Sequence, residues 1–197
     1  MQFVLDQLGS PLRVTPPEPL SVEAFWQVSA ENPNLRLERE SNGDLIVMTP
    51  TSRDTSFRNS EINFELALWA RQDGRGYAFE SNAGYLLPDG SILSPDASWI
   101  SSNRWKPNSG EGYTTILAPD FVIELRSKSD RLPPLQQKMQ TWITNGVQLA
   151  WLIDPERKTV EIYRPNQPHP DIQEGHTAVY GESPVGGFIL ELSRIWQ

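Results

Sequence analysis

Two acidic residues stand out because of the residues around them. Glu124 lies inside the otherwise apolar run FVIEL at 121–125, and Asp96 follows Ser94-Pro95. A run of this kind is typical of a strand buried on both faces, where an ionised glutamate is costly unless a metal, a cation or hydrogen bonds compensate it. We therefore expect Glu124 to have a partner.

Asp96 and Glu124 together could hold a hard cation. Alternate residues of a strand share a face, so Glu124 points with Arg126, and Asp96 would stand at the mouth of a neighbouring strand. Two converging carboxylates suit Mg²⁺, which prefers carboxylates, water and phosphate oxygens, and this predicts metal-assisted hydrolysis. The alternative is that Asp96 caps a turn and Glu124 forms a structural ion pair with Arg126.

Lys138 and Glu38 are further candidates. Lys138 borders the apolar stripe of a predicted helix, so either its ammonium reaches the carboxylates or it lies in solvent with its stem over apolar surface. Glu38 lies between apolar neighbours in a predicted hairpin, and Glu61 lies on another predicted helix. Either could be a further ligand, but we expect both at the surface, and an exposed helix face for Arg58 and Asn59.

Periodicity and turn signals predict the elements that position these residues. Asn42-Gly43 between two apolar runs predicts an N-terminal β-hairpin over 35–48. Helices are predicted over 22–29, over 56–72 and from Pro134 to Gly146. Strands are predicted over 77–79, 85–87, 92–93, 96–100, 121–126, 150–153 and 160–163. The polar stretch 101–115 predicts a lid or binding loop, and 165–176 predicts a loop.

Composition narrows the class of protein. The prolines near the N-terminus predict a Pro-rich lead-in over 1–19. The length of 197 residues predicts a single domain, which we place over 20–197. There are no cysteines, which excludes disulfides and thiolate zinc sites. The formal net charge of −8 argues against a broad basic footprint for duplex DNA, although a metal-binding cleft must itself be acidic. Without a secretory signal or a bilayer-length apolar run, we expect a cytoplasmic protein.

Several short motifs, in their order along the chain, resemble a known family. The motifs are Met48-Thr49-Pro50, Arg58-Asn59, the run GYLLPDG at 84–90, Ser94-Pro95-Asp96, the run PDFVIEL at 119–125, Gly146 and the run WLIDP at 151–155. The sequence resembles the Uma-two family of restriction-endonuclease-like nucleases, which is abundant in cyanobacteria and falls within the PD-(D/E)XK superfamily. The resemblance runs from about Leu20 to the C-terminus.

The resemblance implies an α+β (α/β-like) fold, with a central mixed β-sheet flanked by helices and an N-terminal β-hairpin. It implies that Asp96 and Glu124 are the metal-binding acids, with Mg²⁺ or Mn²⁺ as the cofactor. The superfamily's lysine would stand where this chain has Arg126, which cannot take a proton from water. Lys138 from the following helix is the implied replacement, and the flexible ammonium of Lys128 is a weaker one.

The leading interpretation is a metal-dependent endonuclease that hydrolyses DNA phosphodiester bonds. Its catalytic residues would be Asp96, Glu124, Arg126 and Lys138. By analogy with nucleases of this class, a homodimer is also suggested. A non-catalytic interaction module that retains the nuclease fold is the main alternative, motivated by the acidic charge and by Arg126. A metal-free carboxylate pair of glycosidase type is a third.

Overall fold

The computed structural model describes residues 11–48, 50–106 and 115–197. Within these ranges the helices are α1 (Val22–Glu31), α2 (Arg53–Asp73), α3 (Ser102–Trp105) and α4 (Leu132–Thr144). The strands are β1 (Leu12–Val14), β2 (Arg36–Arg39), β3 (Leu45–Met48), β4 (Gly76–Glu80), β5 (Tyr85–Leu86), β6 (Ile92–Leu93), β7 (Ala97–Ser101), β8 (Phe121–Leu125), β9 (Leu149–Asp154), β10 (Thr159–Tyr163), β11 (Asp171–Glu174), β12 (Ala178–Tyr180) and β13 (Ile189–Glu191).

Local sequence signals set the ends of the long helices. The Ser21 hydroxyl accepts the N–H of Ala24 at the start of α1, and the Ser52 hydroxyl caps α2 in the same way. Helix α2 ends at Gly74, whose φ of 72° is readily adopted by glycine. Helix α4 carries two prolines in its first turn, where a missing N–H costs little. The three helices predicted from the sequence are confirmed, and α2 starts three residues earlier than predicted.

A six-stranded mixed sheet forms the centre of the fold. Its strand order is β11-β10-β9-β8-β7-β4, with β8 and β9 parallel and the other pairs antiparallel. Helix α2 packs on one face through Ile62 and Leu66, and α4 packs on the other through Met139 and Trp142. The predicted α+β fold, with a central mixed sheet flanked by helices, is therefore confirmed.

The predicted N-terminal hairpin is β2–β3, and it belongs to a second sheet. That sheet has the order β1-β3-β2-β6-β5, and Gly43 turns the hairpin with a φ of 89°. Helix α1 covers this sheet with Phe25 and Val28. Strand β1 lies within the described part of the Pro-rich lead-in, pairing Leu12 with Val47. A small third sheet pairs β12 with β13.

Two stretches predicted as loops contain regular structure. Strand β11 lies within 165–176 and forms an edge of the six-stranded sheet, so the loop prediction there is wrong. Its side chains are largely exposed, Ile172 at 61%, and an exposed edge strand lacks the apolar alternation that would reveal it. The stretch 101–115 includes α3, and its part over 107–114 lies outside the described residues. No helix of the described ranges is long and apolar enough to cross a bilayer.

Candidate active site

Asp96 and Glu124 come together because β7 and β8 are antiparallel neighbours. Ala97 pairs with Ile123, so Asp96, which precedes β7, stands beside Glu124 in β8. The backbone N–H of Leu125 donates to Asp96 Oδ2 at 2.8 Å, which fixes the aspartate against β8. Asn59 of α2 donates to Asp96 Oδ1 at 3.2 Å. The sequence prediction that these two acids lie close together agrees with this geometry.

Lys138 of α4 reaches the same place. Its Nζ lies 2.8 Å from Glu124 Oε1 and 2.8 Å from Glu38 Oε1, and it donates to the carbonyl of Ser94 at 3.2 Å. The indole N–H of Trp142, one turn further along α4, donates to Glu124 Oε1 at 2.9 Å. Of the two readings offered by the sequence, the lysine that faces the carboxylates is the observed one.

Glu38 is a third carboxylate of the site, and its predicted surface placement is wrong. Glu38 is only 3% exposed, and its Oε1 also accepts a hydrogen bond from the backbone N–H of Ser94 at 2.9 Å. Arg36, on the same face of β2, donates to the carbonyl of Ser94 at 2.7 Å and lies 3.6 Å from Asp96 Oδ1. We call Glu38, Asp96 and Glu124 the carboxylate cluster.

The carboxylate cluster carries more negative charge than its neighbours neutralise. Three carboxylates face two cations, Arg36 and Lys138. Burial, together with the charges of Asp96 and Glu38, raises the pKa of Glu124 to about 7 although the ammonium of Lys138 opposes the shift. Burial alone would lower the pKa of Lys138, but Glu124 and Glu38 outweigh it and raise that pKa. Lys138 is therefore a stable cation, and the cluster favours a further positive charge.

Arg126 does not join this cluster. Strand β8 ends at Leu125, and the Arg126 guanidinium turns to Asp154 Oδ2 at 2.7 Å and to the carbonyl of Asp130 at 3.2 Å. The alternative of a Glu124–Arg126 ion pair is thus not what the structure shows. Lys128 is exposed and lies beside Arg126 rather than at the carboxylates. Glu61, expected at the surface, is partly exposed and pairs with Arg194.

The family model for Uma2, described as "Putative restriction endonuclease", matches residues 22–193. This chain belongs to the Uma2 family. It is also similar in structure to a protein from Anabaena variabilis ATCC 29413, described as "a putative nuclease belonging to DUF820", with a TM-score of 0.74 and 22% identity. The match covers 90% of this chain and 98% of that one. No curated protein matches the chain.

The donor atoms of this Uma2 site fit a hard divalent cation. Within the described residues, Oε2 of Glu124 and Oε2 of Glu38 accept no hydrogen bond, and Asn59 Oδ1 is buried without a partner. Among the described residues, no group of three or more His, Cys, Asp or Glu side chains is arranged so that all of them could bind one metal ion. Mg²⁺ does not need one, because it usually binds through one or two carboxylates and keeps several waters.

Sequence reasoning did not anticipate the contacts of four residues of the candidate site, although Glu38 was named as a possible further ligand. Arg36 and Glu38 alternate with the buried Leu37, a pattern typical of a strand with one solvent face. Only the fold shows that Lys138 of α4 reaches Glu38 on that face. Asn59 was expected on an exposed helix face but bonds to Asp96. Trp142 was expected in the apolar stripe, and its ring is buried there. The hydrogen bond that its indole N–H donates to Glu124 was not predicted. A buried indole that needs an acceptor was the one available signal.

Proposed function

We propose that this chain is a divalent-metal-dependent nuclease that hydrolyses DNA phosphodiester bonds, with Asp96 and Glu124 as the ligands of Mg²⁺ or Mn²⁺. The observation that carries the proposal is the buried Glu124, which adjoins Asp96 and is bonded by Lys138 at 2.8 Å. The family description and the similar fold of a described nuclease support the reaction class. In such a site a bound divalent ion would activate water and polarise the scissile phosphate.

The side chains around that position have separate tasks in this proposal. Lys138, held as a cation by Glu38 and Glu124, stabilises negative charge that develops on the phosphate oxygens. It is not the base, because its raised pKa keeps it protonated at neutral pH. Trp142 fixes the orientation of Glu124 through its N–H. Asn59 and the N–H of Leu125 hold Asp96, so both carboxylates are positioned before a substrate arrives.

The test compares cleavage of plasmid and single-stranded DNA in Mn²⁺ by the wild type and by Asp96→Asn. We expect the variant to lose cleavage and to bind Mn²⁺ more weakly in calorimetry. Asp44→Asn is the matched control, since Asp44 is an aspartate with little exposure like Asp96 but lies in the hairpin turn, bonded to Asn42 and Arg13. Equal cleavage by Asp96→Asn and the wild type would remove Asp96 from the mechanism.

A non-catalytic interaction module is the second candidate. It is favoured by one observation: Lys138 and Arg36 already supply two cations to the carboxylate cluster. In that case Mn²⁺ would show no binding that depends on Asp96, and no nucleic acid would be cut. The same calorimetric titration therefore separates the two candidates.

A further inference from the structure

A cavity of about 310 Å³ lies at the end of β8, where Arg126 lines it. Two residues link the cavity to Asp96 through their chain neighbours. Arg58 precedes Asn59, which donates to Asp96 Oδ1, and Arg126 follows Leu125, which donates to Asp96 Oδ2. Two of the cavity's lining residues are therefore one position away in the chain from a donor to Asp96. Its lining residues are Arg58, Arg126, Lys128, Pro155 and Glu156.

The cavity stands at the carboxyl ends of the two parallel strands. Arg126 is the first residue after β8, and Pro155 is the first after β9. The ion pair between Arg126 and Asp154 joins these two strand ends at 2.7 Å. Ligands of open sheets with parallel strands bind outside the carboxyl ends of those strands. The location is thus a suitable one for a substrate group.

The lining is basic in a chain that is acidic as a whole. It has three cations and one glutamate, against a formal net charge of −8 for the chain. Arg126 uses its Nε and Nη1 in protein bonds, and within the described residues its Nη2 has no partner. The ammonium of Lys128 forms no ion pair or hydrogen bond in the described part of the chain. Donors therefore remain for an anion.

Arg58 and Arg126 are held in place before any ligand binds. The Arg58 guanidinium donates to the backbone carbonyls of Ile195, at 2.8 Å, and Gln197. Arg126 is held by Asp154 and by the carbonyl of Asp130. A guanidinium fixed in this way loses little conformational entropy when it binds a phosphate. Lys128 is exposed and supplies a mobile charge at the rim.

We propose that this cavity binds a backbone phosphate of the nucleic-acid strand, next to the phosphate that is cut at the carboxylate cluster. The inference rests on the proposed function and deepens it, because it adds a second contact to the strand beside the phosphate that is cut. Arg126 and Lys128 are then binding residues, which position the strand. An acidic protein needs such a local basic site, since phosphate affinity comes from clustered cations.

The experiment measures binding of a labelled single-stranded oligonucleotide by fluorescence anisotropy at several salt concentrations, in EDTA so that no cleavage occurs. For Lys128→Ala we expect weaker binding and a salt slope, log K against log salt, that is smaller by about 0.7, the share of one phosphate contact. Lys128→Arg keeps the charge and should restore the slope. Lys128 is exposed, so neither substitution should disturb folding.

Arg71→Ala is the matched control. Arg71 is exposed in the last turn of α2, about 20 Å from Arg58 along the helix at about 1.5 Å per residue. The control should keep the wild-type slope. A slope for Lys128→Ala equal to that of Arg71→Ala would overturn the subsite, as would a wild type without salt-dependent binding. Competition by inorganic phosphate as strong as that by the oligonucleotide would overturn the assignment to a strand.

The outcomes for the subsite and for the proposed function can be told apart. A protein that binds the oligonucleotide through Lys128 but cuts no DNA with Mg²⁺ or Mn²⁺ keeps the subsite and loses the nuclease proposal. A protein that cuts DNA, with a salt slope unaffected by Lys128→Ala, keeps the nuclease proposal and loses the subsite.

Discussion

Two buried glutamates of the six-stranded sheet have nearly the same position but different surroundings. Glu124 of β8 and Glu161 of β10 both pair in register with Leu152 of β9, so they lie on the same face with one strand between them. Each is 3% exposed, and each bonds to a side chain of α4. In sequence, each is a single acid in an apolar strand.

The difference lies in what compensates each charge. Glu161 is served by neutral donors: the Gln136 amide donates to its two oxygens at 3.0 and 3.1 Å, and the Tyr163 hydroxyl donates at 2.5 Å. Burial and the adjacent Glu161 raise the pKa of that hydroxyl. Glu124 instead meets an ammonium and stands near two other carboxylates. A buried glutamate alone therefore does not mark a site, whereas converging charges do.

The largest contrast is expected in catalysis. Glu124→Gln should lower DNA cleavage by roughly 10²-fold or more, the scale for groups that meet the reacting atoms. Glu161→Gln should leave cleavage within a few-fold of the wild type, because among the residues that the structure describes its side chain bonds to Gln136 and Tyr163 alone. Single-turnover cleavage of a labelled DNA measures both. Equal losses in the two variants would show that the carboxylate cluster is no more functional than Glu161.

The second contrast concerns stability and uses one substitution at two places on α4. Lys138→Met leaves Glu38 and Glu124 without their shared ammonium, and we expect a loss of about 3–5 kcal/mol in the free energy of unfolding. Gln136→Met removes a neutral donor from Glu161 and should cost about 2 kcal/mol. Urea unfolding at slightly alkaline pH measures both. A Gln136→Met loss as large as that of Lys138→Met would contradict the distinction between the two surroundings.

The third contrast is in the pH dependence of stability. Burial raises the pKa of Glu124 from 4.5 to about 7, so between these values the folded state binds a proton that the unfolded chain releases. Stability from this group is complete below its unfolded pKa and is lost as the pH rises through about 7. In Glu124→Gln this fall should disappear, while Glu161→Gln should keep it. Urea unfolding series across this range test the difference, and an unchanged slope in Glu124→Gln would assign the proton elsewhere.

The smallest effect is expected at Tyr163. Tyr163→Phe removes one donor from Glu161 while the Gln136 amide remains, so we expect a loss of about 1.5 kcal/mol. Cleavage should not change. Thermal unfolding combined with the cleavage assay measures both quantities. A loss of cleavage in Tyr163→Phe would connect Glu161 to the active site after all.

The part of the site on β7, β8 and α4 could be predicted because its signals are local. The apolar runs predicted β8 and β9, and the stripe of α4 placed Lys138 at its border. The prediction that Arg126 points to the same side as Glu124 assumed that the strand continues past Leu125. The strand ends there, and the Arg126 guanidinium forms an ion pair with Asp154 of β9. No sequence pattern near Arg126 indicates which carboxylate of the neighbouring strand lies within its reach.

The contribution of the hairpin could not be predicted. The bond between Lys138 and Glu38 joins residues 100 positions apart, and β2 by itself has the alternation of a half-exposed strand. Glu161 shows the opposite problem, since its pattern matches that of Glu124 although its partners are neutral. An apolar run indicates that a charge inside it is buried, as for Glu124 and Glu161. The burial of Glu38, and which charges meet, depend on how the two large sheets are placed.

The bond from Lys138 to Glu38 also determines at which stage of folding the site is complete. Glu124, Lys138 and Trp142 belong to one strand–helix–strand unit, β8-α4-β9, and can assemble as that unit forms. Glu38 arrives from the other sheet, so its position is correct only after the two sheets have met. Contacts between distant chain segments form late, since closing a long loop costs entropy first. A partly folded chain with the hairpin detached would therefore have Lys138 and Glu124 together but would lack the third carboxylate, Glu38.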